Sequence, residues 1–161
     1  MSDGPPLQPE RVWDYPRPPR LEPVPQRICI VLGGETIADT VLAFRVLETT
    51  HPPTYYLPPG AFIPGALESR PRTSFCEWKG HARYWTVRGG GHAAVDAGWS
   101  YPDPTPSFAA LRDHVAVYAG PMDACTVGGE RAMPQPGGFY GGWVTPNLIG
   151  PFKGETGTSL W

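Results

Sequence analysis

Cysteine is scarce in this chain of 161 residues, which has only Cys29, Cys76 and Cys125. An odd number without regular spacing argues against a disulfide framework. Cys29 sits in an apolar run and reads as a small core hydrophobe. No CxxC pair occurs, and His51, His81, His92 and His114 are dispersed. A structural zinc site draws on closely spaced ligand pairs, so no metal and no cofactor is expected. Positive charge is also in short supply: 13 Lys and Arg stand against 15 Asp and Glu, for a formal net charge of −2. Arg17, Arg20, Arg27 and Arg70, Arg72 form only loose groups. Nucleic-acid binding needs clustered Lys and Arg, so no nucleic-acid partner is expected. No apolar run approaches the ~18 residues of a membrane span, and the N-terminus has no apolar stretch of the signal-peptide kind. The cytoplasm is the expected location, with no membrane partner.

Proline and glycine are abundant, at 22 and 20 residues. Proline removes an amide donor and glycine raises the entropic cost of ordering, so long helices are disfavoured. Hydrophobic residues at 40% nevertheless supply a core. The expected class is mainly β: short antiparallel strands, many turns, and one or two short helices in a single domain.

Three segments are expected. Residues 1–26 hold eight prolines and read as an extended arm. Trp13 and Tyr15 are costly to leave in water, which predicts that residues 11–22 pack on the domain. Residues 27–135 form the core domain. Residues 136–161 are a Gly- and aromatic-rich tail, expected to pack on that core.

Within the core, RICIVL (27–32) followed by Gly33-Gly34 and ETIADT is a hairpin signal, because the tight turn needs positive φ. Residues 40–48 are expected as a strand or one short helical turn, and HPPTYYLPP (51–59) as extended chain. TSFCEWKGHARYWTV (73–87) reads as two strand-like pieces around Gly80. Gly89-Gly90-Gly91 is a turn, and HAAVDAGWSY a returning strand. Residues 107–114 are the best helix candidate, with Ser107 as cap and Phe108, Leu111 and Val115 at helical spacing. VAVY (115–118) and CTVGGERAM (125–133) are expected to form a final hairpin-like pair.

Phosphate-loop chemistry has little support. Gly89-Gly90-Gly91 lacks the following Lys-Ser/Thr and a helix, and GPFKGETGTS (150–159) lacks the required order. The most reactive stretch is TSFCEWKG, where a cation such as Lys79 would lower the pKa of the Cys76 thiol if the two meet at a bend. The plain alternative is a buried Cys beside a surface Lys. Glu35, Asp39 and Glu48 flank the first hairpin. Glu35 and Asp39 are an even number of residues apart, so on a regular strand they share a face. Paired acids can split their pKa values and move protons; solvated edge charges are the alternative. Tyr56, Tyr84, Trp85, Trp99 and Tyr101 belong to an aromatic group that either fills the core or stacks a planar or cationic ligand.

Several stretches together resemble a bacterial family of unknown function, the domain of unknown function 427, sometimes labelled nucleotidyltransferase-like. They are GETIADT (34–40), VLET with PPTYYLP (46–49, 52–58), TSFCEWKGHARYWTV, GWSYPDP (98–104) and VAVY with VGGERAMPQPGGFYGGWVT (115–118, 127–145). VWDYPRPPRLEPV (12–24) and LIGPFKGETGT (148–158) resemble its longer members. The chain departs from the family pattern at Glu77, where a Pro is usual, and at Gly60-Ala61, where an acid is usual. The resemblance implies a β-tent-like (Mss4-like) fold without the zinc knuckles of its metal-bearing relatives. The transferase label has no counterpart in a phosphate cradle or in paired metal-binding acids here, and fold does not fix function.

Three functions therefore compete. The first is a small-molecule enzyme joining Glu35, Asp39 and Glu48 with Cys76, Lys79 and Tyr84 in one pocket for a polar ligand. The second is a non-catalytic binding module in which Tyr56, Tyr84, Trp85, Trp99 and Tyr101 hold the ligand. The third is an interaction protein whose arm and tail make a homo-oligomer contact.

Overall fold

A computed structural model describes residues 2–158 and 161. The expectations for the arm and the tail also cover Met1, Ser159 and Leu160, which lie outside the described residues. The fold is mainly β. One four-stranded sheet runs in the order Val115–Val117, His92–Ser100, Gly80–Gly89, Leu67–Cys76. A second four-stranded sheet runs Glu130–Arg131, Ala124–Val127, Ile28–Leu32, Glu35–Thr40. A three-stranded sheet joins Arg20–Pro23, Phe44–Leu47 and Thr54–Tyr56.

The main core lies where the two larger sheets face each other. Ile28, Ile30 and Leu32 alternate inward from one strand and meet Val87, Ala97, Val115 and Val117 from the other sheet. A second cluster, rich in aromatics, gathers Tyr56, Tyr84, Trp99, Tyr101, Phe108 and Leu111. The arm adds a third, in which Val12 and Tyr15 pack with Leu47. Trp13 of the same arm is 41% exposed, and it reaches the tail through an edge contact with Trp161.

The sheets also touch through their turns. Gly33 and Gly90 both have positive φ, and a Cβ on Gly90 would stand 1.8 Å from the Gly33 carbonyl oxygen. Gly91, also at positive φ, has open space around its Cβ position. Gly91→Ala should therefore cost about 1 kcal/mol of left-handed strain, whereas Gly90→Ala must also push two backbones apart. We expect Gly90→Ala to lose about 2–3 kcal/mol, within the usual range for overpacking. Urea melts of the two variants check this, and equal midpoints would contradict it.

Three expectations change. Residues 106–111 form 3₁₀ turns rather than a helix over 107–114, with Phe108 at φ −117° and ψ 20° breaking the helical run. Pro104 and Pro106 remove amide donors at its start, and Thr105, not Ser107, is the residue before the first turn. Among the described residues the short helices are three 3₁₀ segments, at Val12–Asp14, Pro59–Ala61 and Pro106–Leu111. VAVY and CTVGGERAM do not pair with each other: Val115–Val117 pairs with 98–100, and Ala124–Val127 pairs with 28–31. Each strand goes to the sheet whose buried face needs it, so adjacency in sequence did not decide the pairing. No helix among the described residues is long and apolar enough to cross a membrane.

Candidate functional site

A cleft of about 990 Å³ opens over the aromatic cluster. Its floor follows from strand periodicity. Along Gly80–Gly89, Ala82, Tyr84 and Thr86 turn to the buried side, while His81 and Arg83 are exposed. Tyr84 thus meets Trp99 from the neighbouring strand and Tyr101 just beyond its end, and Tyr56 closes the same floor. Ten of the chain's 19 aromatic side chains line the cleft.

Cys76 and Lys79 enter from the bend between Leu67–Cys76 and Gly80–Gly89. The bend is pinned from outside: Thr105 Oγ1 donates to the Trp78 carbonyl at 2.6 Å, and the Thr105 amide donates to the Lys79 carbonyl at 3.2 Å. The Lys79 ammonium lies 5.7 Å from the Tyr101 ring centre and 5.9 Å from that of Phe108. Burial alone would lower its pKa. The negative potential of Tyr56 and Cys76, a hydrogen bond to Cys76, and Glu48 together outweigh burial and raise it. Lys79 therefore keeps its charge throughout the neutral range. Among the described residues it has no carboxylate within salt-bridge distance.

The remaining charges show a surplus of one sign. Among the described residues, Arg17, Arg72, Lys79 and Lys153 line the cleft with only Glu48 and Glu77 as acidic side chains. Glu48 is taken by Arg17 at 3.0 Å. The Arg72 guanidinium stacks 4.4 Å above the Tyr84 ring, whose hydroxyl shares a 3.0 Å hydrogen bond with Ser74. Lys153 is buried and donates to the Thr158 and Trp161 carbonyls. A chain of net charge −2 thus gathers cations in this cleft.

Two of the acids expected here lie elsewhere. Glu35 accepts a hydrogen bond from the Gly90 amide at 3.0 Å and borders a smaller hollow with Arg88 and His92. Asp39 is held by Arg27, whose Nε donates to it at 2.8 Å. That pairing keeps the Asp39 carboxyl below its ordinary pKa. Their strand belongs to the other four-stranded sheet, and a bulge also parts the two acids. The register slips between Ile30 and Val31, so Ile37 is an extra residue and both Ile37 and Ala38 point inward. One extra residue reverses the alternation, and Glu35 and Asp39 come to opposite faces. Trp85 also lies outside the cleft: it follows Tyr84 and so faces the other way, donating to Ser100 Oγ at 2.9 Å beneath Arg83. Glu48, Cys76, Lys79, Tyr56, Tyr84, Trp99 and Tyr101 all line the cleft.

His51 and Gln135 line it too, and neither stood out in the sequence. His51 follows Thr50, a buried β-branched residue at φ 73°, a backbone state that is costly for such a residue. Burial pushes the His51 pKa below its ordinary value; Glu48 opposes this, while Arg17, Lys153 and Lys79 add to it. Its ring makes an edge contact with Tyr140 at 4.9 Å. The spacing of 84 residues between His51 and Gln135 hides their contact from any local motif.

Among the described residues, no group of three or more His, Cys, Asp or Glu side chains is placed to hold a metal ion. The class defined here is a mainly-β domain with an aromatic, cation-lined cleft. The family model for a domain of unknown function (DUF427) matches residues 20–128, and the chain belongs to that family. No curated protein matches the chain. The matched region carries Glu48, His51, Tyr56, Cys76, Lys79, Tyr84, Trp99 and Tyr101, whereas Arg17, Gln135, Tyr140, Lys153 and Trp161 come from outside it.

Proposed function

We propose that the cleft binds a small organic anion carrying a planar ring. The observation that carries this reading is Lys79: a half-buried ammonium at an aromatic cleft, without a carboxylate partner among the described residues. A buried charge is costly unless paired, and an anionic ligand would pair it. The Tyr84, Trp99 and Tyr101 rings beside it suit a flat group. Burial, followed by the neighbouring Tyr56 and Cys76, raises the Tyr101 pKa, so this phenol stays neutral and does not repel an anion.

The test compares matched probes in thermal-shift assays: indole-3-acetate against indole-3-acetamide, and adenosine monophosphate against adenosine. At ten times the dissociation constant an acid would add roughly 1.4 kcal/mol, a rise of roughly 3–6 °C for a domain of this size. The neutral partners should give far less. Lys79→Met keeps the apolar stem and removes the charge. It should weaken acid binding about 10–100-fold, since a hydrogen bond to a charged group contributes about 1.5–3 kcal/mol. Equal shifts for acids and neutral analogues, or full binding in the variant, would reject the reading.

The placement of Cys76 and Lys79 on one bend at the cleft favours a second reading, in which the cleft also transforms its ligand with Cys76 as nucleophile. Cys76→Ser would then keep the thermal shift and lose conversion of the bound acid.

A further inference from the structure

Gln135 is buried, and its amide has three partners, two of them of fixed character. Its Oε1 accepts from the Gly142 amide at 3.0 Å. A backbone amide can only donate, so the atom facing it is the oxygen. Its Nε2 donates to the Lys153 carbonyl at 3.0 Å, and a carbonyl can only accept. Both ends therefore agree on one orientation of the amide. The same Nε2 lies 3.0 Å from His51 Nδ1. An NH₂ group offers protons and no lone pair, so His51 Nδ1 must be the acceptor. In a neutral imidazole the other nitrogen then carries the proton. Turning Gln135 over to accept from a protonated Nδ1 would set its NH₂ against the Gly142 amide and its oxygen against the Lys153 carbonyl.

We propose that Gln135 fixes His51 in the neutral Nε2–H tautomer across the neutral pH range, so that the cleft meets its ligand at this point with a hydrogen-bond donor and takes ligands that present an acceptor there. The Nδ1 side of the ring is occupied by the buried amide, which leaves Nε2 as the nitrogen available to a ligand. The charged groups around His51 are Glu48, Arg17, Lys153 and Lys79. The three cations oppose an imidazolium and Glu48 favours one; burial is the leading effect, and the ring stays below its ordinary pKa. His51 is thus a donor that does not become a cation, and Gln135 is its positioning residue. An acceptor beside Nε2–H and an anionic group at Lys79 together describe a carboxylate or phosphate ester. The ligand part of this inference rests on the anion-binding reading above, and the tautomer part does not.

The experiment is a two-bond ¹H–¹⁵N correlation spectrum of the ring nitrogens in the uniformly ¹⁵N-labelled full chain. Four histidines contribute, and His51→Asn identifies the signals of His51 by their loss. The expected spectrum shows His51 with Nδ1 unprotonated and Nε2 protonated, unchanged between about pH 5 and 8. A His51 that titrates within that window, or that carries its proton on Nδ1, overturns the proposal. Gln135→Glu places a carboxylate against Nδ1, and there His51 should become charged with a midpoint at least one pH unit higher. Gln135→Met removes the constraint without adding charge, and there both tautomers should appear. A fixed Nε2–H form in Gln135→Met would overturn the role of Gln135. Addition of indole-3-acetate to the wild-type chain should move the His51 Nε2 and Hε2 signals. If that acid gives a Lys79-dependent thermal shift yet leaves those signals in place, the ligand part is overturned. If neither acid gives a thermal shift, the anion-binding reading fails and the tautomer assignment stands on the spectrum.

Discussion

Removal of residues 1–22 is expected to lower the melting temperature by about 10 °C or more. The largest contribution comes from Arg45, whose side chain is only 15% exposed. Its guanidinium donates to both oxygens of Glu10 at 3.0 Å and through Nε to Glu22 at 2.7 Å. Both carboxylates leave with the arm. Stripping a buried charge of its partner costs about 3–5 kcal/mol. Val12 is fully buried against Leu47, and its loss adds about 1.5–3 kcal/mol. The sum is about 4.5–8 kcal/mol, and each kcal/mol is worth about 2–4 °C at this chain length. Differential scanning calorimetry checks it, and an unchanged curve would show the arm to be a mere leader. The same contact has a pH signature. Burial alone would raise the Glu10 pKa, but hydrogen bonds from Arg45 and Tyr15 outweigh it and lower it. A lowered carboxyl pKa contributes stability that is present above its ordinary value of 4.5 and is lost as the pH falls through the folded value. The truncated chain should lack this acid-side loss.

What the sequence displayed was local. Gly33-Gly34 and Gly89-Gly90-Gly91 marked turns because only residues tolerant of positive φ fit there, and both are hairpin turns. The alternation of Tyr84 with Trp85 was visible, and it places them on opposite faces of one strand. The even spacing of Glu35 and Asp39 was visible too, but a bulge at Ile37 is a property of the paired sheet and leaves no mark on a single strand. Arg45 lies in the stretch 40–48, expected as a strand or a short helical turn, and nothing local marks it. Its partners Glu10 and Glu22 lie 35 and 23 residues away, so its buried state could not be inferred. The candidate site divides along the same line. Cys76 and Lys79 are three positions apart on one bend and were legible together. His51 and Gln135 are joined only by the path of the tail, which no periodicity encodes.

That path depends on Trp143, and Trp143→Ala is expected to be the most damaging single substitution in the tail. Its side chain is fully buried in the main core. The indole Nε1 donates to the Val117 carbonyl at 2.9 Å, its ring lies 5.2 Å from that of Tyr55, and its amide donates to the Pro53 carbonyl at 2.8 Å. Truncating such a ring costs about 3–5 kcal/mol, and the Val117 carbonyl left without its donor adds about 1 kcal/mol. The melting temperature should fall by roughly 10 °C. Trp143→Phe retains most of the volume and loses only the hydrogen bond, so it should fall much less. The exposed aromatic four residues earlier is the internal control: Phe139 is 75% exposed, and Phe139→Ala should leave the melt within about 0.5 kcal/mol of the parent. The consequence reaches the cleft. Trp143 pairs with Pro134 across a two-stranded ladder, and the next residues inward on each side are Gln135 and Gly142, which bond to each other. Loosening that ladder frees Gln135, so in Trp143→Ala the His51 ring should titrate even at temperatures where the fold persists. Trp143 lies beyond the family match at residues 20–128. If the matched region alone held the fold and the cleft, Trp143→Ala would change neither the melt nor the His51 spectrum.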